Sequence, residues 1–195
     1  MQMDEDLHLV TYWLLCASSQ ISEEYFRLPV AGSDPRYRER VYCYELYHRW
    51  RCHWFNGFQY SLCGEIDKRG HSYVRGKHVD NVKPDFLVHI PGRMINLANL
   101  LVMEVKPANA DPDQIADDLE KLTGFRRDLK DEGGQPANYY AAYFWVYGLP
   151  LEQWHKFCPR VKAALPGKEV DLSLLRFFLH GNPKVRAFEV DWVHL

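Results

Sequence analysis

The stretch KPDFLVHIPGRMINLANLLVMEVKP, residues 83–107, constrains the fold of this chain more than any other. Two apolar runs flank a turn-rich centre, the pattern of two adjacent strands joined by a short connection. Asp85 stands near the start of the first run, and Glu104 and Lys106 stand at the end of the second. Strands that read as core do not carry ionised groups unless those groups are paired or used.

Taken as antiparallel neighbours connected around residue 95, the two runs give cross-strand partners whose numbers sum to about 190. Asp85 then faces Glu104, Val105 or Lys106. Glu104 and Lys106 are two residues apart and project from one face of their strand. A register that pairs Asp85 with either of them gathers all three groups on that face, and a bulge would shift the pairing by one.

Two carboxylates in one site repel, and one ammonium does not satisfy four carboxylate oxygens. A hard divalent cation does. Mg²⁺ takes oxygen ligands, needs one or two carboxylates and keeps several waters, and Mn²⁺ can take its place. A metal-bound water is a nucleophile, and the metal stabilises charge on a phosphoryl group. Lys106 beside it can orient or deprotonate a water, or neutralise developing charge. Such a set suits hydrolysis of a phosphodiester.

The flanking sequence predicts further elements. Residues 4–18 read as a mostly buried helix. Asp34 and Pro35 read as an N-cap and first helical position for a long helix over 35–55, with Cys43, Leu46, Tyr47, Trp50 and Trp54 on its core face. FQYSLCGEID reads as a strand and DKRGHSYVRGKHVDNV as a polar loop. Asp111-Pro112 opens another helix, with Gln114 placed for a capping box and Ile115, Leu119 and Leu122 as its apolar stripe. YYAAYFWVYG is an aromatic buried strand. LEQWHKFCPRVKAAL begins as a helix that Pro159 should break or kink. LLRFFLH and VRAFEVDWV, joined by GNPK, form a terminal hairpin.

Pro84-Asp85, a spacer of 18 residues, and Glu104-Val105-Lys106 resemble the PD-(D/E)XK signature of the restriction-endonuclease-like nuclease superfamily. The element order around them, over residues 34–148, is similar as well. The resemblance implies a single α/β domain over residues 1–195: a mixed β-sheet flanked by helices, with an extra N-terminal helix and a C-terminal β-hairpin. It also implies Mg²⁺-dependent cleavage of nucleic acid, DNA in the first instance. Asp85, Glu104 and the carbonyl of Val105 would be metal ligands and Lys106 the catalytic lysine. The family's helical Glu most resembles Glu45, a further ligand or support for the metal's water shell, with Glu65 as its rival. Glu45 can equally pair with Arg49 one turn on. Cutting both strands of a duplex would need a homodimer or a protein partner. The alternative is a catalytically inactive module of the same fold that binds nucleic acid or a protein.

The net charge of −2 makes the whole molecule no polyanion binder, but residues 36–83 hold ten Lys/Arg against five Asp/Glu. Lys68, Arg69, Arg75, Lys77 and Lys83 in this segment, together with Lys121 on the later helix, are candidate phosphate contacts, and Tyr73 a candidate for base stacking. Cys43, His48, Cys52 and His53 match no familiar zinc spacing. Five cysteines without a CxxC pair suit reduced thiols. The acidic opening segment, too short in apolar residues to span a bilayer, resembles no signal peptide. Both features predict a cytoplasmic protein without membrane association.

Overall fold

The computed structural model describes residues 2–64, 83–93, 95–131 and 133–192. Five helices run α1 (Gln2–Ser18), α2 (Glu23–Phe26), α3 (Glu39–Arg51), α4 (Pro112–Arg127) and α5 (Trp154–Lys162). A small antiparallel sheet joins β1 (Leu28–Val30) to β2 (Ser33–Arg36). The main sheet has six strands: β3 (Ser61–Gly64), β4 (Phe86–His89), β5 (Asn99–Pro107), β6 (Ala141–Tyr147), β7 (Leu175–His180) and β8 (Phe188–Val190).

Those six strands lie side by side in chain order, antiparallel from β3 to β5, parallel from β5 to β7, and antiparallel again at β8. Parallel neighbours need long crossovers, and α4 and α5 supply them. The sheet is therefore mixed, as expected, and the terminal hairpin forms as β7–β8.

Alternation along the strands separates two cores. Met103, Val105, Tyr143, Trp145 and Tyr147 pack toward α1 and α3, whereas Val102, Phe144, Val146, Phe177 and Leu179 pack toward α4 and α5. A strand covered on both faces reads as a continuous apolar run, which is why β6 is AAYFWVY with every residue buried. The stripe of α4 faces this second core, with Ile115, Leu119 and Leu122 all buried. Among the described residues no helix is long and apolar enough to cross a membrane, and the five cysteines are free thiols.

Three expectations are corrected. Asp34 and Pro35 do not open a helix: both lie in β2, which turns back on β1 at Ala31-Gly32, with Gly32 at φ 74°. A proline is tolerated on an edge strand, and the glycine supplies the positive φ that a tight turn requires. The long helix consequently starts at Glu39 and stops at Arg51, leaving Trp54 beyond its end. Pro159 does not break α5, which continues to Lys162. The apolar side of α5, with Trp154, Phe157, Cys158 and Val161 buried, outweighs the one backbone bond that proline removes. On α4 the cap is Asp111 accepting the N–H of Asp113 at 2.9 Å, while Gln114 is exposed.

At the carboxyl end of β7, fully buried His180 takes part in a polar chain. Trp145 Nε1 donates to Tyr42 Oη at 2.8 Å, and the Tyr42 hydroxyl shares a 2.6 Å hydrogen bond with His180 Nδ1. Burial pushes the imidazole down to about 4 from its ordinary 6.5. A histidine depressed in this way stabilises the fold above pH 6.5 and loses that contribution as pH falls through 4. Wild type is expected to lose up to about 3 kcal/mol more than His180→Asn between pH 7 and 4 in urea titrations. Equal pH dependence in the two proteins would contradict a neutral buried His180.

Candidate active site

The bulge in the β4–β5 ladder falls at His89–Asn99, far from the charged end, so the register there is undisturbed. Phe86 pairs with Met103 and Leu87 with Val102. One more step places Asp85 opposite Glu104, and the backbone N–H of Val105 donates to Asp85 Oδ2 at 2.8 Å. Asp85, Glu104 and Lys106 thus meet at the carboxyl end of β5, as the register argument expected. Val105 points its N–H away from β6, and its carbonyl, on the same side of the strand, faces the space beyond the end of β4.

Burial is what gives the pair its character. Glu104 is only 4% exposed. Burial pushes Asp85 up to about 6, against the opposing pull of the Val105 N–H and Lys106. Glu104 is raised well above the ordinary carboxylate range, first by burial and then by the negative charges of Asp85 and Asp118. Two neighbouring buried carboxyl groups that cannot comfortably ionise together are stabilised by a shared proton or by a cation.

Lys106 is almost buried, its side chain 12% exposed. Its Nζ lies 3.0 Å from Glu39 Oε2 and 3.1 Å from Asp118 Oδ2, the latter an ion-pair contact outside hydrogen-bond geometry. Burial works against its charge, but Asp118, Glu39 and Asp85 together hold it above the ordinary lysine value. Lys106 therefore keeps its proton at neutral pH, so of the roles expected for it the electrostatic and orienting ones fit and deprotonation of a water does not. Lys121, three residues after Asp118 on α4, donates to Asp118 Oδ1 at 2.7 Å.

The helix supplies a glutamate, but its identity differs from expectation. Glu45 is bound to Arg49 Nε at 2.6 Å. Six residues separate it from Glu39, which places the two about 120° apart around the helix. Glu39, in the first turn of α3, is the residue that reaches Lys106. An acidic group there is also favoured by the helix dipole. Glu45 was expected from its resemblance to the family's helical Glu, and Glu39, on the same helix, is the one that meets Lys106. Glu39 and Asp118 were both missed as members of the cluster. A first-turn acid was a usable signal for Glu39, while the role of Asp118 depends on how α4 packs on the sheet.

A cleft of about 470 Å³ opens on Asp85, lined by Glu39, Arg40, Lys83 and Asp85. Lys83, one of the candidate phosphate contacts, is thus part of the cleft's lining. Lys121 lies within the cluster. Lys68, Arg69, Arg75 and Lys77, with Glu65 and Tyr73, fall outside the described residues.

Among the described residues no group of three or more His, Cys, Asp or Glu side chains is placed to hold a metal by itself. The fit of a cation rests instead on the donor set at the strand ends. Four carboxyl groups, Glu39, Asp85, Glu104 and Asp118, surround two ammonium groups, Lys106 and Lys121. Asp118 and Glu39 are engaged by lysines, which leaves Asp85, Glu104 and the Val105 carbonyl as oxygen donors. That is a set Mg²⁺ accepts, completing its shell with water and phosphate oxygen. No family model, no curated protein and no solved structure matches the chain.

Proposed function

We infer that the protein is a divalent-cation-dependent nuclease of the restriction-endonuclease-like type, acting on a phosphodiester bond of DNA. The single observation that supports this reading is the buried pair of Asp85 and Glu104, opposite each other across β4 and β5, beside Lys106 at the carboxyl end of β5. The order of elements agrees with the resemblance of Pro84-Asp85 and Glu104-Val105-Lys106 to PD-(D/E)XK.

In this reading Asp85, Glu104 and the Val105 carbonyl would hold Mg²⁺, which when bound lowers the pKa of a coordinated water and draws charge from the phosphoryl group. The remaining chemistry belongs to the chain. Lys106, kept cationic by its carboxylate neighbours, donates hydrogen bonds to the attacking water or a non-bridging phosphate oxygen and offsets negative charge as it grows. Glu39 and Asp118 hold that ammonium in position. Arg40 and Lys83 in the cleft's lining receive the phosphate backbone.

Supercoiled plasmid incubated with purified protein is expected to be nicked or linearised with Mg²⁺ or Mn²⁺ and left intact with EDTA. No cutting of plasmid, linear duplex or single strand with either metal would overturn the reading. A non-catalytic nucleic-acid-binding module is the second reading, and one observation favours it: Lys106 is engaged in two ion pairs, as a structural lysine would be.

Glu39→Gln and Glu45→Gln separate the two helical glutamates. Loss of the Glu39 charge is expected to lower cleavage ten- to a hundred-fold, roughly the effect of a misplaced catalytic group. Glu45→Gln is expected to leave the rate within about two-fold, because Glu45 pairs with Arg49 one turn on and not with Lys106. The reverse ranking would restore Glu45 to the site.

A further inference from the structure

A second cavity lies beside the carboxylate cluster and takes no part in it. Strands β5, β6 and β7 run parallel, and their last residues, Pro107, Tyr147 and His180, end side by side in register. The segments that follow spread apart around a pocket of about 630 Å³. The carboxyl edge of a parallel sheet is where open α/β folds receive ligands, and this volume is within the usual range of a small-molecule site.

Its lining has the chemistry of a nucleotide's partners. Arg27 and Arg160 bring two guanidinium groups, and Asn109, Gln153 and Asn182 bring three carboxamides, with Glu23 as the only acid. Guanidinium groups match phosphate oxygens, and carboxamides donate to and accept from base edges. Tyr37 adds a ring. It is seated against Gly148, whose φ is 76° and where a Cβ would come within 2.5 Å of the ring. Its hydroxyl donates to the Gly148 carbonyl at 3.3 Å, and Arg27 lies over its face, 5.3 Å from the centroid. A ring and a stacked guanidinium form a platform on which a base can lie.

Two short pieces of chain tie this pocket to the cluster. Asn109 follows Lys106 by three residues, and Tyr37 precedes Glu39, the ion-pair partner of Lys106, by two. At about 3.3 Å per extended residue, Asn109 stands within roughly 10 Å of Lys106 along the backbone. A few nucleotide units, each about 3.4 Å when stacked, cover that distance.

We propose that this pocket holds one unpaired nucleotide of the substrate strand, its phosphate on Arg27 and Arg160 and its base edge on the carboxamides, next to the phosphodiester presented to Asp85, Glu104 and Lys106. The flanking role rests on the nuclease reading, whereas nucleotide binding itself does not. A paired base offers its hydrogen-bonding edge to its partner strand, and a recess of this size admits one nucleotide rather than a duplex.

Binding is measured in EDTA, with a fluorescein-labelled single-stranded oligodeoxynucleotide and with deoxyadenosine 5′-monophosphate as competitor. Wild type is expected to bind the oligonucleotide, with the mononucleotide displacing it. Arg160→Ala combined with Gln153→Ala, both at exposed positions, is expected to weaken binding about ten-fold or more while thermal unfolding stays that of wild type. With Mg²⁺, wild type is expected to prefer overhanging to blunt duplex ends and the same double variant to lose that preference. Wild-type affinity in the double variant would overturn the proposal, as would failure of the mononucleotide to compete or equal competition by inorganic phosphate. Pocket-dependent binding without cutting would remove the nuclease reading and leave the pocket assignment. Cutting that ignores the double substitution would do the opposite.

Discussion

Glu104→Gln is expected to reduce metal-dependent cleavage on the order of 10³-fold and, in the absence of metal, to make the protein more stable by about 1–3 kcal/mol. The two effects have one cause. Glu104 is buried against Asp85 and Asp118, so its charge is disfavoured in the folded state. A glutamine keeps the shape and can hydrogen-bond Asp85, but it carries no charge to bury. It also donates poorly to a divalent cation, which needs the carboxylate.

The pH dependence of the gain follows in sign. A carboxyl group raised in the folded state stabilises the fold most below its unfolded value and loses that contribution as pH rises through its folded value. Asp85, raised to about 6, behaves in the same way between pH 4 and 6. The advantage of Glu104→Gln is therefore expected to be largest at neutral pH and to vanish near pH 4. Added Mg²⁺ is expected to stabilise wild type and not the variant. Thermal unfolding at both pH values, with and without the metal, reads all of this. A glutamine variant less stable than wild type at pH 7 would contradict the placement of the carboxyl pair.

Lys106→Met is expected to abolish cleavage to a similar degree, on the order of 10²- to 10³-fold, with the opposite effect on stability. The ammonium serves Asp118, which is 4% exposed. Removing one partner of a buried pair leaves the other charge without compensation. Lys121 still holds Asp118 Oδ1, so the expected loss is about 2–3 kcal/mol, less than for a fully abandoned charge. Glu39 is more exposed and adds little. Asp118→Asn on the Lys106→Met background is expected to restore most of the stability and none of the cleavage. Cleavage that survives Lys106→Met in a folded protein would reduce this lysine to a structural role. Two inactive variants with stability changes of opposite sign are difficult to attribute to damage of the fold alone.

Strand pairing was the most legible part of the sequence. The spacing of Asp85, Glu104 and Lys106 within two apolar runs is a local property, and a turn near residue 95 leaves few registers open. The buried run of β6 and the stripe of α4 are legible for the same reason, since period and apolarity report burial directly. The start of α3 was not, because Asp34-Pro35 carries the same residues whether it caps a helix or ends a hairpin strand. Ala31-Gly32 decided between them by permitting the tight turn. Pro159 misled because the penalty of one missing backbone bond was weighed without the packing of Trp154, Phe157 and Val161. Asp118 read as one member of a polar helix face. Only the approach of α4 to the end of β5 makes it the counter-ion of two lysines.

The nuclease reading depends on oxygen atoms from Asp85, Glu104 and Val105 sharing one divalent cation. Crystals soaked in Mn²⁺ and measured for anomalous scattering test that sharing most directly. A peak bounded by the two carboxylates and the Val105 carbonyl, absent from Glu104→Gln crystals, is the expected result. Saturating Mn²⁺ that leaves this position without a peak, or binds elsewhere and ignores the Glu104 substitution, would contradict it.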